Sequence, residues 1–245
     1  RHVRGLYNRM FELLRGSFRE GKNLDFESYR ELFETSSLRV AEIYRNDNQF
    51  DEAYKELIAV QEIAEERFYK AKVQMRIGDN YMEWKHFDDA WSAYDQVINL
   101  YADTPYPPNA QYNKGEARYY ADKYAEARQD YLDLVAKYPD TDTELRAAAL
   151  YNAGWCSEKV DDTDKALEYY GQVVENFSRS ERAPACNLRM ATLTYKQGKV
   201  QEAIAIYQRI IEESQNPKTD SDAYYGLGVL YQEEGQADKA IEAFM

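Results

Sequence analysis

An all-α fold built from repeated helix–turn–helix units is predicted by three observations. The first is a period. An alanine recurs at Ala53, Ala90, Ala127, Ala166, Ala203 and Ala240, in steps of 37, 37, 39, 37 and 37 residues. The second is what accompanies it. Twelve residues earlier stands a small residue (Ala41, Gly78, Gly115, Gly154, Ala191, Gly228), and four residues later a large one (Leu57, Tyr94, Tyr131, Tyr170, Tyr207, Phe244). Small side chains let two helices cross closely, and the large one fills the space beside the crossing. The third is a unit that can be read whole, Pro108–Pro139. Its first helix is expected over about Pro108–Ala121 and its second over Tyr124–Tyr138, and it ends at Pro139, which cannot continue a helix interior.

Taken in order, Arg1–Glu20 is helical by pattern, with Leu6, Met10, Leu13, Leu14 and Phe18 at three- and four-residue steps, and Gly21–Asp25 breaks it. Residues 1–32 lack the repeat signature and are read as an N-terminal helical cap or a degenerate repeat; the array occupies 33–245. Asp25 is a suitable N-cap for a long helix carrying Phe26, Tyr29, Phe33, Val40 and Tyr44, with a possible break at Ser36–Ser37. Asn46-Asp47-Asn48 turns into a second helix over Phe50–Glu66. Repeat two starts near Ala71 and ends in Thr104-Pro105-Tyr106-Pro107-Pro108, a stiff linker across which the register continues. Repeat four holds two extra residues, either in the acidic segment Asp140–Glu144 or in the turn Val160–Thr163. Repeat five starts at Pro184, turns at Gly198 and leaves through Asn216-Pro217. Repeat six holds Gly228, Tyr231, Gly235 and Ala240. The chain stops five residues past Ala240 and begins at Arg1, with no signal-peptide pattern. It therefore reads as part of a longer protein, with targeting information expected outside it.

Composition narrows the function classes. The net charge of −13 argues against nucleic acid, because phosphate contacts need clustered Lys and Arg. Residues 1–32 carry seven Lys/Arg against five acids, so the acidity belongs to the array. That acidity reads either as a solvated surface that keeps a long array soluble or as a face for a basic partner. No apolar run approaches the length of a membrane-spanning helix, so direct membrane insertion is not expected. Cys156 and Cys186 sit at different levels of neighbouring first helices, which favours two small buried thiols over a disulfide.

The period, the Gly/Ala twelve residues before Ala, and the aromatic after it together resemble the tetratricopeptide repeat, over about Glu34 to Met245. The resemblance implies a right-handed superhelical solenoid of antiparallel helix pairs, about six repeats, and implies no reaction. The exits Tyr138-Pro139-Asp140-Thr141 and Asn176-Phe177-Ser178-Arg179-Ser180, each before an Ala-rich helix, look like the repeats of bacterial envelope proteins. Examples are the Tol-Pal coordinating protein and the repeat-bearing lipoprotein of the outer-membrane assembly machine. Periplasmic or envelope-associated localisation is the resulting expectation, with cytoplasmic as the alternative. By the same resemblance the first helices line a concave groove. Its candidate partner-binding residues are Met75, Tyr112, Tyr119, Tyr120, Tyr151, Trp155, Tyr195 and Tyr225, beside Asp79, Met82, Glu116, Glu158 and Leu188. The lysine and asparagine that clamp a chaperone C-terminus in other repeat domains are replaced here by Tyr112/Glu116, Tyr151/Trp155 and Leu188/Thr192.

Catalysis finds no foothold in the pattern. His2 and His86 are the only histidines, no histidine pairs with cysteine or carboxylate at metal-ligand spacing, and there is no GxSxG, P-loop or GxGxxG. Gly226-Leu227-Gly228 falls inside a helix and reads as a packing feature. No cofactor, metal or catalytic residue is assigned. The expected function is a non-catalytic protein–protein interaction scaffold in a multiprotein, envelope-type assembly. Its partners would be a peptide or helix in the groove and other subunits, and the array ends (Tyr231, Ala240, Ile241, Phe244) offer an apolar face for self-association. The alternatives are an adaptor for a peptide or cell-wall ligand, or the regulatory arm of an enzyme whose catalytic domain lies elsewhere.

Overall fold

The computed structural model describes residues 26–213 and 216–245. Within them the chain forms twelve α-helices, with short connections. They are α1 (Phe26–Asn46), α2 (Phe50–Ile63), α3 (Arg67–Glu83), α4 (Phe87–Leu100), α5 (Pro107–Tyr120), α6 (Tyr124–Lys137), α7 (Thr143–Lys159), α8 (Thr163–Asn176), α9 (Ala183–Lys196), α10 (Val200–Glu213), α11 (Pro217–Glu233) and α12 (Ala237–Phe244). Two compact units divide at Ala121/Asp122, one holding α1–α5 and the other α6–α12. In each, successive helices pack on one another, and the first helices of some neighbouring repeats also touch, α1 with α3 and α9 with α11. The segment read as an N-terminal cap lies largely outside the described residues.

The turn inside each repeat is one device used repeatedly. Asn48, Lys85, Asp122, Asp161, Gly198 and Gly235 all take φ between 58° and 77°. Such a residue reverses the chain just past a helix end. At five of these turns the amide before the next helix reaches back to the last turn of the first. Gln49 donates to Tyr44 O at 2.8 Å, and His86 to Tyr81 O, Asp162 to Ser157 O, Lys199 to Thr194 O and Gln236 to Tyr231 O follow suit. The residue at positive φ adds a second bond, as from Lys85 to Met82 O at 3.1 Å. Orphan carbonyls are thereby satisfied and the second helix starts at a constant place. A connection this short forces the two helices of a repeat to run antiparallel. The two extra residues of repeat four lie in the acidic linker before α7, where Asp142 caps the helix by accepting from Leu145 N at 2.9 Å.

The repeat signature is the core. All six second-helix alanines are buried, from 0% exposed at Ala53 to 4% at Ala240. The glycines mark contact between helices. A methyl group on Gly78 would stand 2.4 Å from Tyr94 Cε1, one on Gly154 2.5 Å from Tyr170 Cε1, and one on Gly228 2.5 Å from Phe244 Cε1. Each ring therefore lies flat on a backbone sixteen residues earlier in the chain. Where the small residue is Ala191, Tyr207 instead crosses Gly226 of α11 and shares a hydrogen bond with Thr192 at 3.0 Å. The Gly-Leu-Gly of α11 is thus a packing surface.

Three expectations are corrected. α1 runs unbroken through Ser36–Ser37, because Ser37 is buried at 1% exposure and tertiary packing outweighs its weak helix preference. α3 starts at Arg67, four residues ahead of Ala71, after Glu66 in an extended conformation. Tyr231 and Ala240, expected on an exposed apolar end, are buried at 8% and 4% in the cluster with Ile204, Tyr207, Leu227 and Leu230; Ile241 and Phe244 are exposed at 57% and 47%.

Candidate functional site

In the N-terminal unit the candidate residues sit on α3 and α5. Met75 is half-buried against Ala90, Tyr94, Val97 and Ala110, so part of its surface belongs to the core. Tyr112 and Tyr119 are half-buried and Tyr120 is 55% exposed. Tyr120 stacks on Phe87 at 6.0 Å between centroids and meets Tyr119 edge-on at 5.5 Å. Asp79 is held in place: it accepts from the Tyr94 hydroxyl at 2.9 Å and faces Arg76 at 3.4 Å. A cleft of about 270 Å³ opens between Asp79, Met82, Tyr94 and Glu116. Burial is the main reason the Tyr94 phenol is pushed far above its ordinary value, with Asp79 adding to it.

In the C-terminal unit α7 presents Tyr151, Trp155 and Glu158 at spacings of four and three, which puts them on one helical face. The opposite side of this helix is packed, with Ala149, Leu150, Ala153 and Cys156 all buried. Each ring there carries a cation. The Arg189 guanidinium of α9 stands 3.9 Å above the Trp155 centroid, Lys159 lies 5.6 Å from it, and Arg182 lies 5.4 Å from Tyr151. Glu158 accepts from the Tyr170 hydroxyl at 2.6 Å and lies 3.7 Å from Arg189. Tyr151 and Tyr170 are 5.7 Å apart. Tyr195 is half-buried on α9 and reaches Glu234 at 3.5 Å; Glu233 first, then the cost of burial, pushes its phenol up to about 12. Tyr225 on α11 is 67% exposed, 5.9 Å from Phe244.

These surfaces offer aromatic faces, cations and carboxylates, a chemistry suited to binding peptide side chains. Proton-transfer geometry is sparse. His86 faces Asp89 at 3.3 Å in an exposed turn and stacks on Trp84 at 4.3 Å. Among the described residues no group of three His, Cys, Asp or Glu is placed to hold a metal, and no helix is long and apolar enough to cross a membrane. Cys156 and Cys186 are both buried, free thiols.

The sequence reading missed the cations over the rings. Arg182, Arg189 and Lys159 share no register position, so the repeat pattern carries no common signal for them.

Three family models, each described as a tetratricopeptide repeat, match residues 106–179, 158–217 and 194–245. The chain belongs to the tetratricopeptide-repeat proteins. A curated relative, response regulator aspartate phosphatase E of Bacillus subtilis (strain 168), is 27% identical over 106 residues, 42% of this chain. The match spans only 28% of that relative's length. Among solved structures, apo RapI superposes with a TM-score of 0.68 at 13% identity, covering 97% of this chain and 68% of that one. YrrB, described as a TPR protein with an unusual peptide-binding site, gives 0.51 at 19% identity over 71% of this chain and 82% of its own. Likeness at these identities establishes the fold. The relatives do not single out envelope proteins.

Proposed function

We propose that this tetratricopeptide-repeat protein is a non-catalytic scaffold that holds segments of partner proteins on its first-helix faces. The observation that carries the reading is the Tyr151–Trp155 face. Two large aromatic rings stand half-exposed on one side of a helix, each beneath a cation, Arg189 of α9 or Arg182 just before it, with a carboxylate alongside. Stiff rings with a polar edge are what buried anchors of a partner pack against. Their half-exposure leaves area to bury, and the paired charges set orientation. Affinity purification after mild crosslinking, comparing wild type with Tyr112→Ala/Trp155→Ala, tests it. Partners lost from the variant at unchanged melting temperature support the scaffold; partners fully retained move binding off these faces; an equal loss of stability makes the residues core.

We place the assembly at a bacterial envelope, on the strength of the linker pattern at Tyr138–Thr141 and Asn176–Ser180. Fractionation of the native host tests the placement, and recovery only with cytosolic proteins overturns it. The similarity to a response regulator aspartate phosphatase favours a second reading, in which these repeats form the arm of a signalling regulator. Capture of response-regulator receiver domains in the same purification would select it.

A further inference from the structure

Two clefts lie side by side on the N-terminal unit and share Arg45. The first, about 330 Å³, is lined by Arg39, Arg45, Lys72 and Arg76 against a single carboxylate, Glu42. The second carries Asp79, Glu83 and Glu116. In a chain of net charge −13, four cations in one cleft are a local reversal of the protein's field. The charges follow the repeat. Arg39 and Arg76 are 37 residues apart, as are Glu42, Asp79 and Glu116 in turn. Two arginines and three carboxylates thus recur at the repeat spacing.

The cations of the first cleft are weakly committed. Arg39 meets Glu42 at 3.9 Å and Arg76 meets Asp79 at 3.4 Å, both within one turn of their own helix and both with exposed arginines (side chains 78% and 48%). Such pairs contribute little in water and exchange readily for a better acceptor. Lys72 has no ion pair among the described residues; its ammonium stands 5.8 Å from the Tyr69 ring centre. Arg45 is different, since its side chain is 14% exposed and it faces Glu83 at 3.2 Å, which fixes the boundary between the clefts.

We propose that this pair of clefts receives an extended acidic segment of a protein partner. Its carboxylate side chains would engage Arg39, Lys72 and Arg76, and a basic residue at one end would reach Asp79 and Glu116. The inference rests on the scaffold reading and names the class of segment that reading leaves open. Arginine forks match carboxylates in two-pronged geometry. The carboxylates of the second cleft repel a continuous polyanion, so a nucleic acid is a poor occupant. Packed helices stand roughly 8–10 Å apart. An extended segment rises about 3.1 Å per residue. Acidic residues three positions apart therefore match the step from one repeat to the next.

The test is selection of peptides from a random twelve-residue display library on the full chain, followed by fluorescence anisotropy of the selected peptides with wild type, Arg39→Gln/Arg76→Gln, Arg39→Glu/Arg76→Glu and Tyr151→Ala/Trp155→Ala. Expected are peptides rich in Asp or Glu at three-residue spacing. Their affinity should fall at least about tenfold in the charge-reversal variant and by less in the neutral one. Both arginines are exposed, so melting temperature should hold in both variants. Selected peptides without acidic preference, or acidic peptides bound equally by the charge-reversal variant, overturn the proposal. Peptides that bind wild type and are weakened only by Tyr151→Ala/Trp155→Ala overturn it while leaving the scaffold reading standing; no selected peptide at all overturns both.

Discussion

Tyr94 and Tyr170 show how much of this protein is decided at single atoms. Each ring lies on a glycine and donates a hydrogen bond from its hydroxyl to a carboxylate on the same first helix, Asp79 or Glu158. Gly78→Ala drives a methyl group into the Tyr94 ring and should cost about 1–3 kcal/mol by overpacking. Gly171 is the contrast: it is mid-helix in α8, and an added Cβ meets nothing within 4 Å. Gly171→Ala should stabilise by roughly 0.5–1 kcal/mol through helix preference alone. Urea denaturation of the two variants gives opposite signs if the packing account is right. Tyr170→Phe keeps the ring and removes the bond to Glu158, for an expected loss of about 2 kcal/mol. Burial pushes the Cys186 thiol up from 9.0 to about 12. The folded chain then holds a proton that the unfolded chain releases near 9. The stability this contributes is full below 9 and disappears as pH rises through about 12. At pH 8 a disulfide reagent should find both cysteines silent in the native protein and both reactive in denaturant.

The recurring element is the turn with a left-handed residue at its centre. Glycine bears that conformation freely at Gly198 and Gly235, and Asn48, Asp122 and Asp161 are residues that tolerate it. Lys85, at φ 62°, has neither advantage. Lys85→Gly should raise stability by roughly 1 kcal/mol, whereas Gly198→Ala should lower it by about 1–2 kcal/mol. Thermal melts of both variants test whether one turn geometry governs all the repeats. The turn was legible in part: Asn46-Asp47-Asn48, Gly198 and Gly235 announce it, but Lys85 gives no local hint. Only the 37-residue register places it. The long α1 was blurred for a related reason, since serine is a poor helix former in isolation and a harmless small residue once buried.

For the whole chain, each helix in a repeat array rests mainly on its neighbours, so damage should stay local. In Gly78→Ala, hydrogen exchange should accelerate most in α2–α5 and return to wild-type rates well before α12. A uniform acceleration would mean the array unfolds as one piece. The candidate site was less legible than the fold. A periodic sequence names which positions share a face, which is why Tyr151 and Trp155 were placed together. It does not say which long side chains from the next helix fold over them, and so Arg189 and Arg182 were missed. The cleft between Arg39 and Arg76 was missed because the charge of the whole chain is acidic and hides a local reversal.

Composition and period alone determined that this chain is an all-α repeat array, that Gly78, Gly154 and Gly228 lie under the large residue of their own repeat, and that its charge disfavours nucleic acid. These follow from one-dimensional patterns, because a repeat packs against residues at a fixed distance along the sequence. Tertiary structure decided where the two additional residues of repeat four go, which aromatics carry a cation, and where cations gather in an acidic chain. Those outcomes depend on side chains that meet across helices at angles and distances no spacing in the sequence specifies.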